Sequence, residues 1–210
     1  MIGVVTIASF SVVIPLLAGV VSFRRLPAAG RWLILLLFVW LIVETIAYSL
    51  RMEGQNNWLV YMMLSFFEIL ILTVFYQSIF QDERAKNLCT ALAWVGLFII
   101  VAEYSIVQSP ENVISVLYEC AFFFGMGLYV ANEIKYNRIP MRFKWINWSV
   151  MFYFLGTALY VASWKYLMKD GAMFMLAVKA HAYFLLACYS LFTYTIWKLR
   201  IEKEQLNFSQ

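Results

Sequence analysis

With 210 residues, 64% of them hydrophobic, 19% aromatic and only 13% charged, the chain is far from a soluble domain, which runs about 45–50% apolar and about 25% charged. The net charge of +4 is modest, so where the basic residues fall matters more than their sum. Cys89, Cys120 and Cys188 lie scattered in apolar runs at no metal-ligand spacing, which argues against a disulfide framework and a cysteine metal site.

Seven apolar runs span roughly 3–23, 32–50, 58–80, 88–107, 112–132, 146–167 and 173–197, lengths that suit helices crossing a bilayer. The polar breaks between them, among them RMEGQNN, QSPEN and KYLMKDGA, leave no room for a soluble domain. The expected fold is therefore all-α: a polytopic membrane protein with seven transmembrane helices as one domain over 1–200, followed by a short tail, 201–210. Arg24, Arg25, Arg31, Arg84, Lys86, Lys135, Arg138, Arg142, Lys144, Lys198, Arg200 and Lys203 collect on one side, against Arg51, Lys165 and Lys169 on the other. By the positive-inside rule the N-terminus is outside and the C-terminal tail cytoplasmic. The expected location is a cell membrane, the bacterial inner membrane, and the lipid bilayer is the first partner.

The first run, Ile2 to Phe23, lacks a positive n-region and a small-residue cleavage site, so it reads as a retained span rather than a signal peptide. Its Pro15 and Gly19 suit a kink or a close contact with a neighbouring helix. In the third run Asn57, Tyr61, Ser65, Glu68 and Tyr76 recur at helical spacing, which makes one face polar along its length. The sixth run carries Ser149, Tyr153, Gly156, Tyr160 and Ser163 along one face, a packing seam in which Gly156 admits a neighbouring backbone.

Shifting the second and third runs by 113 residues lands them on the sixth and seventh. Trp32 falls on Trp145, Tyr76 on Tyr189 and Glu68 on His181. This suggests a 3+1+3 repeat of the kind found in transporter folds.

Six ionisable groups fall within the spans: Glu44, Glu68, Glu103, Glu119, Lys179 and His181. A charge in a membrane is costly unless paired or hydrated, so each is a functional-site hypothesis by default. Glu103 is expected to reach interfacial water. Glu119 and Lys179 could form an interhelical ion pair that only sets packing. Glu68, near the middle of its span, is expected to lie within direct or water-bridged reach of His181. Around them Trp40 lies one turn from Glu44, Tyr61 shares the Glu68 face, and Tyr153 lies on the polar face of the sixth run. The expected ligand-binding set is thus Glu44, Glu68, Glu119, Lys179, His181, Trp40, Tyr61 and Tyr153.

Sharper chemistries fail on residue count. One histidine cannot supply a zinc hydrolase site, and Glu-x-x-His pairs for a di-iron bundle are missing. A retinal Schiff base on Lys179 finds no Asp counter-ion in any span. No phosphate-binding Gly loop or nucleophile elbow is present. No metal or cofactor is therefore expected, and the basic loops read as topology determinants rather than nucleic-acid sites.

The stretch FRRLP…RWLILLLFVWLIVETIAY…NNWLVYMMLSFFEILILTVFY, together with KWINWSVMFYFLGTALY, resembles a group of short, uncharacterised seven-helix bacterial membrane proteins. They carry an arginine-rich first loop, a Glu late in helix two and a central Glu in helix three. The resemblance implies the helix count and a central place for Glu68, and no activity.

The functional expectation is a small receptor or carrier binding a polar or cationic small molecule in an outward-opening, carboxylate-lined cavity under aromatic side chains. A membrane enzyme using a Glu as general acid or base on a lipid-like substrate stands second, without a nucleophile or metal to support it. A scaffold subunit, whose buried charges only fix helix register, is third. Homo-oligomer formation stays open.

Overall fold

The computed structural model describes residues 2–106, 114–167 and 169–208; the QSPEN break lies outside the described residues. Among them there is no strand, and seven helices are long and apolar enough to cross a membrane. The elements are α1 (Ile2–Phe10), α2 (Val13–Ser22), α3 (Ala28–Met52), α4 (Trp58–Ile79), α5 (Glu83–Ile106), α6 (Ile114–Lys135), α7 (Lys144–Leu167) and α8 (Gly171–Phe208). The protein is a multi-pass membrane bundle.

The first span is two helices, and Pro15 explains the break between them. Proline has no N–H to return to the Ser11 carbonyl four residues earlier. That carbonyl instead accepts from the Ile14 N–H at 3.0 Å, while the Ser11 hydroxyl donates to the Ala8 carbonyl at 2.6 Å. The kink expected from Pro15 is therefore present. Gly19 fills its expected role too. A Cβ built there would collide with Ile34 Cδ1 and stand 2.7 Å from Ile34 Cγ1 on α3. Gly19→Leu should consequently lower the stability of the detergent-purified protein by about 1–3 kcal/mol through overpacking. Adding Ile34→Ala should recover part of that loss, and additive costs in chemical denaturation would show that the two positions do not share space.

Each helix packs on its neighbours in sequence, and α8 returns to α1 and α2, so the spans close into a ring. Inside the ring α4 also touches α6. This leaves α5 on the outside and lets α3, α4, α6, α7 and α8 face a common interior. In α4, Leu59, Met63, Phe67, Leu70 and Val74 are exposed, whereas Ser65, Glu68 and Tyr76 are buried. The exposed stripe is apolar and the buried one holds the polar groups, which is the pattern lipid as solvent demands.

The interior is aromatic. Phe75, Tyr76, Phe123, Phe154 and Phe192 are fully buried, with Phe123 and Phe154 rings 5.0 Å apart. Asn147, Ser149 and Thr195 among them are paired, as burial away from water requires. Asn147 Nδ2 donates to the Gly127 carbonyl at 2.8 Å, and the Ser149 and Thr195 hydroxyls bond at 2.8 Å. At Gly156 the close approach comes from a side chain and not from a backbone: the Phe184 ring occupies the space a Cβ would need.

The α8 helix continues to Phe208, so the chain stays helical beyond Ile201, the end of the apolar span. At 1.5 Å per residue, Lys179 stands about 28 Å along α8 from Lys198. That is close to the thickness of the hydrocarbon core, about 30 Å.

Candidate functional site: a carboxyl pair inside the bundle

Glu68 is central because α4 turns its polar face inward and α3 and α7 supply donors at the same depth. The Trp40 indole Nε1–H donates to Glu68 Oε1 at 2.6 Å, and the Tyr153 hydroxyl donates to the same oxygen at 3.3 Å. The Trp40 and Tyr153 rings lie 4.4 Å apart, centroid to centroid, and Phe192 meets the indole edge-on at 5.7 Å. Glu68 is 4% exposed. Within hydrogen-bonding reach of its carboxyl is that of Glu119 from α6, which is 1% exposed and also within reach of the Ser65 hydroxyl. One Glu119 oxygen, Oε1, is buried without any hydrogen-bond partner.

Ionised carboxylates only accept hydrogen bonds. Two of them in contact inside the bundle therefore need a proton between them. Among the described residues, neither carboxyl forms an ion pair with a lysine, arginine or histidine. The groups around the pair are neutral or acidic: Trp40, Ser65, Cys120, Tyr153 and Tyr189.

A second cluster lies further along α3, toward its Arg51 end. Glu44 Oε1 accepts from the Tyr61 hydroxyl at 3.4 Å, and Arg51 Nη2 stands 3.7 Å from Glu44 Oε2. The Ser9 hydroxyl of α1 is within reach of the same carboxyl. Tyr189 of α8 is close enough to feel both Glu44 and Glu68, so polar groups continue from half-exposed Arg51 to the buried pair.

Six of the eight expected site residues, Trp40, Glu44, Tyr61, Glu68, Glu119 and Tyr153, thus belong to two adjoining polar clusters. The other two are elsewhere. His181 does not reach Glu68. Its ring stacks on Tyr160, centroids 4.0 Å apart, in a groove of about 450 Å³ between α7 and α8 that Gly156, Ser163 and Phe184 also line. Evenly spaced helices align the two residues in sequence, but α8 turns its His181 face toward α7 rather than toward the ring centre. Lys179 makes no ion pair with Glu119. It is exposed on α8, on a face of that helix turned away from Glu119.

Glu103 departs from the expected interfacial role. It is 6% exposed, and its Oε2 accepts from the Ser115 backbone N–H at 2.8 Å. A helix leaves its first N–H groups unsatisfied, and Glu103 serves one of these at the start of α6, where a carboxylate also suits the helix dipole. Its role is architectural.

Sequence reading passed over Ser9, Arg51 and Tyr189 as site residues, and it named Ser65 only as part of a polar face. The signals were present for two of them: Ser65 precedes Glu68 by one turn, and Tyr189 aligned with buried Tyr76. Nothing local marks Ser9, which becomes relevant only because α1 packs on α3.

A further cleft of about 300 Å³ lies at the opposite end of the bundle, beside Phe80, Asp82 and Tyr129, where Arg138 bridges Glu133 at 3.3 Å. Neither cleft is lined by Glu68 or Glu119. Among the described residues no group of three or more His, Cys, Asp or Glu could hold a metal ion. No protein-family model, no curated protein and no solved structure matches this chain.

Proposed function

We propose that this protein is a small receptor or carrier that binds a polar or cationic small molecule at the Glu68–Glu119 pair, entering from the Arg51 end. The observation that carries this reading is the pair itself. Two carboxyls from different helices meet in the bundle, and among the described residues neither is ion-paired to a basic side chain. Helix packing alone does not call for that arrangement, because a buried acid pair is costly where Leu–Leu contacts would serve. A cationic ligand would neutralise the excess negative charge, and the Trp40 and Tyr153 rings offer it π faces. The charge asymmetry of the loops supports an Arg51 end facing outside the cell, the orientation of a bacterial inner-membrane protein that meets its ligand from the exterior.

Both carboxyls are almost fully buried, so entry requires the aromatic side chains over them to move. Binding would then show as stabilisation, about 2.7 kcal/mol for a ligand at a hundred times its dissociation constant. A thermal-shift screen of the detergent-purified protein against cationic, neutral and anionic small molecules should raise the melting temperature with cationic members only. The Glu68→Gln protein should melt near the parent temperature and show no shift. A scaffold role predicts no shift with any class. A shift surviving in Glu68→Gln would move the site elsewhere.

A further inference from the structure

We infer that the groove between α7 and α8 is a lipid site that seats one acyl chain of a phospholipid. The ester end of the chain lies at Tyr160, Ser163 and His181, and its methyl end lies between Phe152 and Phe184. This site stands apart from the cation reading above, because neither Glu68 nor Glu119 lines the groove.

The groove has the length of one leaflet. Its lining on α7 runs from Phe152 to Ser163, about 16 Å at 1.5 Å per residue. Half of a hydrocarbon core of about 30 Å is about 15 Å. Ser163 is also the last residue of the apolar span Met141–Ser163. The groove therefore starts at one membrane surface and ends near the midplane, where a chain from that leaflet ends too. On α8 the lining begins at Ala177, about 9 Å from the start of that span at Gly171, and descends to Phe184.

Polarity follows the same axis. Ser163, Tyr160 and His181 stand toward the α7–α8 connection, whereas Phe152, Leu155 and Phe184 lie deeper. The Ser163 hydroxyl donates to the Tyr160 carbonyl at 2.8 Å, and the Tyr160 ring stacks on His181. Tyr160 is also close enough to feel Tyr61, which ties this end to the Glu44 cluster. The His181 imidazole presents an N–H in either tautomer, a donor suited to an uncharged ester carbonyl. No lysine, arginine, aspartate or glutamate lines the groove. The lining thus matches the ester and chain of a lipid and not its charged headgroup.

The rim faces lipid: Leu155 and Leu159 are 46% and 66% exposed, while the short side chains of Ala177 and Ala180 leave space between the helices. In a bilayer such a furrow must be filled, because atoms with no partner across a gap forfeit their dispersion contacts. Water is a poor filling beside leucine and phenylalanine. A helix of a second copy is too wide. A cylinder about 10 Å across and about 16 Å long occupies roughly 1,300 Å³, against a groove of about 450 Å³. A single hydrocarbon chain meets the length, the width and the polarity.

The probe is a phosphatidylcholine with a photoactivatable diazirine at the methyl end of one chain. It is carried at trace level in vesicles of phosphatidylethanolamine and phosphatidylglycerol that hold the full-length protein, and peptide mass spectrometry maps the labelled residues after illumination. Phe152, Leu155 and Phe184 should be labelled about fivefold more than exposed Phe67 on α4 and Phe98 on α5, a preference of roughly 1 kcal/mol. With the diazirine beside the ester instead, the label should move to Tyr160 and Ser163. Ala180→Phe fills the groove from an exposed position and should lower the α7–α8 label to the level found on α5. Ala177→Phe should act the same way, whereas Ala91→Phe, exposed on α5, should leave the label unchanged. Equal labelling of every exposed face of the parent protein would mean annular lipid contact alone and would overturn the site. Undiminished labelling in filled variants that melt at the parent temperature would overturn it too. A dimer that Ala180→Phe converts to a monomer would give the groove to a second copy and likewise overturn the lipid assignment.

Discussion

Trp40→Ala is expected to destabilise the protein by about 3–5 kcal/mol, the range for truncating a large buried aromatic. The residue is 2% exposed and touches Tyr153, Tyr189 and Phe192 through its ring while donating to Glu68. Its loss removes the ring contacts that join α3 to α7 and α8 and takes one of the two donors from the carboxyl. Trp40→Phe separates these contributions, because a phenyl ring retains most of the packing and none of the N–H. It should cost about 1–3 kcal/mol, the penalty for a buried acceptor left short of a donor. Denaturation of the detergent-solubilised protein followed by loss of helical signal measures both. A Trp40→Phe protein as unstable as Trp40→Ala would mean that the hydrogen bond outweighs the ring contacts.

The second large effect is at Glu68, where the outcome depends on which replacement is made. Alanine opens a cavity and strands three groups: the Trp40 N–H, the Tyr153 hydroxyl and the Glu119 carboxyl. Together these should cost about 3–5 kcal/mol. Glutamine reproduces the contacts. Its amide oxygen accepts from Trp40 and Tyr153, and its NH2 donates to Glu119. Glu68→Gln should therefore fold within about 1 kcal/mol of the parent, yet lose the affinity for cations expected of a site built on a carboxylate. A stable protein that no longer binds separates a binding role from a purely structural one. If both substitutions were equally destabilising, the charge itself would be holding the helices together.

The identities at these positions were legible before any coordinates, and the partnerships were not. Glu68, Trp40 and Tyr153 stand out because polar or amphipathic groups at helical spacing in an apolar span must face protein rather than lipid. The pairing of Glu68 went wrong because alignment by a 113-residue shift compares positions along helices. It says nothing of rotation about their axes. A turn of about 100° per residue decides whether a side chain faces the ring centre or the next helix, and α8 directs His181 at Tyr160.

By itself, the sequence determined the class and span count of this protein, its Pro15 kink and the inward face of α4. Each of these depends on composition or on spacing within a single helix. Only the tertiary structure decided that Glu119 meets Glu68, that Glu103 serves the start of α6 and that Lys179 stands outside the bundle. Those outcomes turn on which helices are neighbours, how far each slides along the other and how long α8 extends. Contacts between residues 51 positions apart, as Glu68 and Glu119 are, leave no periodic trace in the chain, because the packing of the five other spans helps fix their geometry.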